Sequence, residues 1–147
     1  MNLPLTMIEV VSRQRRRKME CEHWQVFGER ALKAIGKAGH DATIAFVSDR
    51  QIKSLNKQFR GLSKPTDVLS FPAGVDEFAE SSQPSLGDIA ISVERAESQA
   101  EENSLTFEKE IAQLILHGLL HLCGYDHETD NGEMNRLELR LRSRLGT

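Results

Sequence analysis

The chain has 147 residues, of which 39% are apolar and 28% are charged, and its net charge is −3. This length predicts one domain over residues 1–147, large enough to bury a core without disulfides or a structural metal. The chain has no apolar run near the roughly 20 residues that a membrane-spanning helix needs, which excludes a membrane-spanning protein. The net negative charge argues against a general nucleic-acid coat, while local basic patches could still bind RNA.

Patterns of apolar, β-branched and helix-capping residues predict four strands and five helices. In chain order they are a strand over 6–11, a helix over 23–38, a strand over 43–47, a helix that follows Ser48 and ends near Arg60, strands over 67–71 and 87–91, a helix from Ser92 to about 101, a helix from about Thr106, and a helix over 132–145. The polar residues 74–86 are predicted to form a mobile surface loop. This order favours an α+β fold, a small four-stranded mixed sheet packed against helices.

The first two predicted helices carry signals at their ends. Gly39 predicts the end of the first helix. In the run 48–51, the Ser48 side chain can cap the amide of Gln51 while Gln51 reaches back, as in a capping box. The helix that follows carries Ile52 and Phe59 on one face.

Three histidines fall in one short stretch, His117, His121 and His127. The first two are four residues apart on a predicted helix, so they share a face. Gly124 suits the left-handed residue that ends a helix, after which the chain can turn back and bring His127 to the same point. Three neutral imidazoles that converge can hold a transition metal and leave a coordination position open, which is typical of catalytic sites.

A metal also explains why imidazoles occur on so apolar a helix. A single histidine there is usually a satisfied core residue, but two buried ones need partners for their lone pairs. Zinc, one ion per chain, is the first choice, and nickel, copper or iron would also accept imidazole. Cys123 points off the shared face and is a weaker ligand candidate. Asp126 could orient a histidine or cap a turn.

The spacing matches the metalloprotease pattern H-E-x-x-H-x-x-G-x-x-H at its histidines and its glycine. Gly118 stands where those enzymes place the glutamate that acts as general base, so a peptidase would lack its base. Met134 invites comparison with the Met-turn, but we interpret it as part of the core of the last helix. Cys21 and Cys123 form no disulfide framework, and with no signal peptide expected, a cytoplasmic protein is favoured.

Three segments together resemble the signatures of the YbeY family, bacterial metal-dependent endoribonucleases of ribosomal RNA maturation. They are residues 59–72 (FRGLSKPTDVLSFP), 86–92 (LGDIAIS) and 117–127 (HGLLHLCGYDH). They occur in the order and spacing of the family. Ser63 departs from the acidic residue often found there, and the basic segment 13–18 has no counterpart in the family.

The resemblance implies that His117, His121 and His127 hold zinc in a central metal-binding helix and the turn after it. Arg60 would be the functional arginine, so Arg60 and His117 are the expected catalytic residues. The implied substrate is single-stranded RNA, in precursors of ribosomal RNA and in ribosomal subunits, with roles in processing the 3′ end of small-subunit RNA and in ribosome quality control. Neither a membrane nor DNA is an expected partner.

The chemistry of phosphodiester cleavage agrees with these roles. A guanidinium such as that of Arg60 can bind two phosphate oxygens, although a cation at a helix C-terminus can also simply stabilise the helix dipole. The nucleophile stays open between water and the ribose 2′-hydroxyl. Asp67 and Asp88, each at the start of a predicted strand, are expected to close turns. The basic segment 13–18 can be a solvated strand end or can contact phosphate.

Two other functions stay open. The first is a zinc hydrolase of another class, most plausibly a peptidase, against which Gly118 argues. The second is a metal-stabilised module that binds ribosomal RNA or a ribosomal partner without catalysis. In that case four protein ligands would close the coordination sphere of the metal, and its removal would unfold the domain.

Overall fold

The computed structural model describes residues 8–73 and 85–147. They contain four strands and five helices. In chain order these are β1 (Ile8–Ser12), α1 (Cys21–Ile35), β2 (Asp41–Val47), α2 (Asp49–Arg60), β3 (Val68–Pro72), β4 (Ser85–Ser92), α3 (Val93–Glu102), α4 (Phe107–Leu122) and α5 (Glu133–Leu145). The start of the predicted first strand, at 6–7, and residues 74–84 of the predicted loop lie outside the described residues.

The strands form one mixed sheet in the order β1-β2-β4-β3. The pairs β1/β2 and β2/β4 are parallel, and β3 runs antiparallel to β4. Helix α1 makes the crossover that joins the parallel strands β1 and β2, as such a connection requires. The predicted α+β class and the four-stranded mixed sheet are confirmed.

The main core lies between one face of the sheet and the helices α1, α4 and α5. Side chains alternate along β2, so that Ala42, Ile44 and Phe46 are buried in this core while Thr43 and Ala45 face the other side. Helix α4 is apolar on most of its circumference and is the central helix of the layer. Its fully buried side chains are Ile111, Ile115, Leu116, Leu119 and Leu120.

The helix ends differ from prediction mainly in α1. This helix ends at Gly36, which adopts a left-handed conformation with φ of 93° and donates its N–H to Lys33 O. The predicted end at Gly39 was therefore three residues too late, because two nearby glycines could each adopt that conformation. At β4 the prediction was too short, since Ser85 and Leu86 belong to the strand and not to the loop.

Three helices begin with a hydroxyl cap. The side chains of Ser48, Ser92 and Thr106 accept hydrogen bonds from the backbone N–H groups three residues later. The apolar face of α2 divides along its length, because Ile52 is fully buried whereas Phe59 is 60% exposed. None of the helices in the described part of the chain has both the length and the apolar character that crossing a bilayer requires.

Candidate metal centre

Helix α4 and the turn after it bring the three histidines together. His117 and His121 lie on one face of the helix, and Gly124 follows with φ of 96°. Backbone hydrogen bonds close this end of the helix, from Gly124 N–H to His121 O at 3.0 Å and from Tyr125 N–H to Leu120 O at 3.1 Å. The chain then reverses, and one ligand atom from each histidine lies within 4.8 Å of the others.

Oxygen acceptors determine which ring nitrogen of His117 and His121 carries the proton. His117 Nδ1 lies 2.6 Å from Glu138 Oε1, and His121 Nδ1 lies 3.0 Å from Tyr125 O. Because these oxygens accept, both Nδ1 atoms carry hydrogen and both Nε2 atoms carry lone pairs. The two Nε2 atoms face each other at 3.1 Å, an arrangement that is repulsive unless a cation lies between them. This donor set therefore fits a metal ion.

The electrostatics of the site favour a neutral His121 and an ionised Glu138. Burial lowers the pKa of His121, and the neighbouring ring of His117 lowers it further. Burial alone would raise the pKa of Glu138, but the hydrogen bond with His117 and the charge of Arg142 outweigh it, so the pKa of this carboxyl is lowered. Arg142 Nη2 donates to Glu138 Oε2 at 2.9 Å.

The three histidines line an open cavity of about 480 Å³. Arg60, the last residue of α2, lines the same cavity, together with Asp67 and Ser70 of the facing segment. His127 is exposed and the other two rings are half-buried. The sequence-predicted metal ligands and the predicted catalytic arginine thus share one solvent-accessible space, where a polyanionic ligand could reach all four.

The remaining predicted polar residues have structural contacts. Asp126 Oδ1 accepts from Glu128 N–H at 3.0 Å and so closes a turn. Asp67 Oδ1 accepts from its neighbours, from Val68 N–H at 2.8 Å and from the Thr66 hydroxyl at 3.2 Å, and these contacts close no turn. Asp88 lies on an exposed position inside β4 and outside the histidine cavity, so the prediction that it closes a turn at the start of that strand was wrong. Cys123 lines a separate cavity, and burial raises the pKa of its thiol.

The basic segment 13–18 is partly engaged with the protein itself. Arg16 and Arg17 both form ion pairs with Glu97, and the Arg17 guanidinium lies 3.7 Å from the ring centroid of Phe107. These contacts support a structural role for this part of the segment. Arg13, by contrast, is exposed and lines a groove on the other face of the sheet.

Glu138 is the site residue that sequence reasoning missed. It is 7% exposed and lies on α5, four residues after the core residue Met134 and three before the core residue Leu141, so it is on the same face of the helix. A carboxylate on the core stripe of a helix needs a buried partner, and that pattern was the available signal. Met134, 1% exposed, is part of the core as predicted.

Gly118 separates this site from a peptidase site in geometry as well as in chemistry. A Cβ built at Gly118 would lie 3.0 Å from two side-chain atoms of Ile89 on β4. A side chain at this position would therefore point into the sheet. A glutamate there would press on Ile89 and begin toward the sheet and not toward the histidine cavity, so it is poorly placed to act as the peptidase base.

Comparison with known proteins agrees with this geometry. The family model described as Endoribonuclease YbeY matches residues 9–146. A relative from Solibacter usitatus is 44% identical over 120 residues, covering 82% of this chain and 76% of its own, and one from Aquifex aeolicus is 40% identical over 124 residues, covering 84% and 81%. Both are named Endoribonuclease YbeY. The solution structure of TM1509 from Thermotoga maritima is similar with a TM-score of 0.64 and 30% identity, covering 95% of this chain and 89% of the other.

Proposed function

The chain belongs to the YbeY family of endoribonucleases, and we propose that it is a zinc-dependent endoribonuclease that cleaves single-stranded RNA during ribosomal RNA maturation. Its relatives carry the name of an enzyme that hydrolyses the phosphodiester bonds of RNA. We assign to it the processing of the 3′ end of small-subunit ribosomal RNA and a part in ribosome quality control. One domain over residues 1–147 would carry this activity in the cytoplasm, on ribosomal RNA precursors and ribosomal subunits.

The single observation that supports the chemistry best is the approach of the Nε2 atoms of His117 and His121 to 3.1 Å. Glu138 and the Tyr125 carbonyl hold the two rings in the tautomer with hydrogen on Nδ1, and His127 adds a third nitrogen. Zinc, with three protein nitrogens and one open position, suits this donor set, and Ni²⁺ is the alternative. A zinc ion held here would supply Lewis acidity, lowering the pKa of coordinated water to about 7 and offsetting negative charge on a phosphate.

Arg60 would bind the phosphate that is cleaved. Its guanidinium lines the cavity of the histidines and can donate to two phosphate oxygens at once, so that it stabilises the charge that builds up during cleavage. Arg60 is the last residue of α2, and the left-handed Gly61 that follows it closes the helix with backbone hydrogen bonds. The backbone position of Arg60 is therefore well defined. We therefore assign catalytic roles to Arg60 and His117.

The decisive experiment combines metal analysis with RNA cleavage. Elemental analysis should find about one zinc per chain, and the purified protein should cleave a single-stranded ribosomal RNA segment. His117→Ala should lose both metal and cleavage, while Arg60→Ala should keep its metal and lose most of its cleavage. Equal cleavage by all three proteins would indicate a contaminating nuclease and would contradict the proposal.

The ends of the products distinguish the two possible nucleophiles. Attack by the ribose 2′-hydroxyl leaves a 2′,3′-cyclic phosphate, whereas attack by water leaves a linear phosphate. A peptidase is the alternative enzyme class, and the small space between Gly118 and Ile89, where an added Cβ would lie 3.0 Å from the Ile89 side chain, argues against a glutamate base at this position. Cleavage of casein by the metal-loaded protein, absent in His121→Ala, would favour a peptidase.

A further inference from the structure

The second face of the sheet carries a groove that the metal chemistry does not use. Its floor consists of small side chains on the central strands, among them Thr43, Ala45 and Ala90. Among the described residues, α2 covers part of this face by packing Ile52 onto it. The remaining space is a groove of about 840 Å³ that runs from β1 to α2.

An aromatic pair forms one wall of this groove. Phe59 on α2 is 60% exposed, and its ring centroid lies 5.1 Å from that of Phe71 on β3. The two planes are tilted by 59°, so Phe71, which is half-buried, supports Phe59 from one side and leaves its other face accessible. An exposed ring held in position is a surface on which a planar group can stack at little conformational cost.

The charges at the two ends of the groove suit a polyanion. Arg13 lines it near β1 and Arg60 lines it at the end of α2, and both side chains are exposed. Asp88 is the acidic side chain that lines the groove. It repels phosphate but can accept a hydrogen bond from the amino group of a nucleobase. These positions favour a strand with its phosphates at the arginines and its bases toward the floor.

The groove continues into the histidine cavity. Arg60, Ser70 and Pro72 line both spaces. A chain whose scissile phosphate contacts Arg60 in the histidine cavity can therefore extend directly past Phe59 into the groove. Among the described residues, Phe59 is the only phenylalanine, tyrosine or tryptophan that is both exposed and next to that arginine.

We propose that this groove binds the single-stranded RNA adjacent to the cleavage site, with one nucleobase stacked on Phe59 and phosphates held by Arg60 and Arg13. The inference rests on the proposed function and extends it, since it identifies how the substrate strand is held. Stacking on a ring tolerates any base, so the groove would select single strands and not a sequence.

The test is RNA binding by the metal-loaded full chain. Fluorescence anisotropy with a labelled single-stranded RNA of about ten nucleotides, checked on a gel for intact RNA, would compare wild type with Phe59→Ala and Phe59→Trp. We expect Phe59→Ala to weaken binding about 5- to 100-fold, as the loss of one base–aromatic stack does, and Phe59→Trp to retain it. A ribose-phosphate strand without bases should bind wild type and Phe59→Ala equally.

A matched control separates stacking from general effects of an exposed apolar residue. Val26 on α1 is 58% exposed, and Val26→Ala should bind the RNA as wild type does. If wild type and Phe59→Ala bind the RNA equally, Phe59 does not contact RNA, its exposed ring is a surface for a protein partner, and the inference is overturned. If Phe59→Ala loses as much affinity for the strand without bases as for RNA, base stacking is not the cause, and the inference is overturned as well. Cleavage that depends on His117 in either case would leave the proposed function intact, so the two failures are distinguishable.

Discussion

The smallest unit of the site is the pair formed by His117 and Glu138. The carboxylate is 7% exposed, accepts from the histidine at 2.6 Å, and accepts from Arg142 on its other oxygen. A buried carboxylate in such a chain orients the imidazole and raises its basicity toward a metal. Arg142 offsets the carboxylate charge, so that the three side chains are a neutralised unit behind the metal position.

We expect Glu138→Gln to weaken metal affinity about 10- to 100-fold, because an amide orients and polarises the ring less than a carboxylate does. The measurement is a competition titration with a chromophoric chelator, which reads metal affinity without any RNA. Glu9→Gln, at an exposed position of β1, is the control and should bind metal as wild type does. Unchanged affinity in Glu138→Gln would show that the carboxylate only packs.

The pKa shifts predict that acid destabilises the metal-free protein. The folded-state pKa of His121 lies below its ordinary value of 6.5, so the unfolded chain binds more protons and stability is lost as pH falls below 6.5. The pKa of Glu138 lies below its ordinary 4.5, so its contribution is lost at still lower pH. Urea unfolding between about pH 7 and pH 5.5 should show a smaller decline in His121→Gln than in wild type. Equal declines would contradict this assignment.

At the scale of elements, α4 is both a core helix and the helix that carries two of the three candidate metal ligands. Its histidine face opens to the cavity, while Gly118, one residue further along, faces the sheet, where an added Cβ would lie 3.0 Å from the Ile89 side chain. Ser70 on β3 donates to Gly118 O at 3.2 Å and ties the strand to the helix at this level. The glycine allows the close approach that positions the histidines over the end of β3.

Gly118→Glu, which would recreate the metalloprotease pattern, should therefore destabilise the fold and not create a peptidase. Overpacking against Ile89 together with a buried carboxylate should lower the free energy of unfolding by about 3 kcal/mol or more. Chemical denaturation measures this, with Asn135→Glu on the exposed face of α5 expected to change it by no more than about 0.5 kcal/mol. A stable Gly118→Glu protein that cleaves casein would refute this interpretation.

The caps of α3 and α4 should differ in their contribution to stability. Ser92 is fully buried, and its hydroxyl accepts from Arg95 N–H and donates to Asp49 Oδ1 at 3.0 Å, so it joins the first turns of α2 and α3. Among the described residues, the Thr106 hydroxyl makes one side-chain hydrogen bond, the cap that it accepts from Lys109 N–H. We expect about 2 kcal/mol of destabilisation in Ser92→Ala and about 1 kcal/mol in Thr106→Ala, measured by urea unfolding. A larger effect at Thr106 would contradict the prediction.

Local patterns predicted the elements well, with small errors at the end of α1 and the start of β4, and the misses at the site were tertiary. Helix α4 and the spacing of His117 and His121 follow from periodicity that is visible in the sequence. The partner of His117 was not visible, because Glu138 is 21 residues away and reaches it only through the packing of α5 on α4. The exposure of Phe59 likewise depends on where α2 extends beyond the sheet and not on its position within the helix.

The whole molecule separates its folding core from its metal site. The core between the sheet and α1, α4 and α5 is apolar and closed, whereas the histidines lie at the end of α4 and border an open cavity. We therefore expect a chelator to remove the metal without unfolding the chain, which distinguishes this protein from modules that fold only on binding metal. Loss of the far-ultraviolet circular dichroism on chelation would contradict this separation and favour a purely structural metal.

The central claim is that the protein cleaves RNA with a metal held at His117, His121 and His127. Its most direct test is a titration of the chelated protein with zinc. RNA cleavage, absent after chelation, should return in proportion to added zinc and level off at about one ion per chain, while His121→Ala treated in parallel should gain none. Cleavage that survives chelation, or that zinc restores equally in His121→Ala, would contradict the claim.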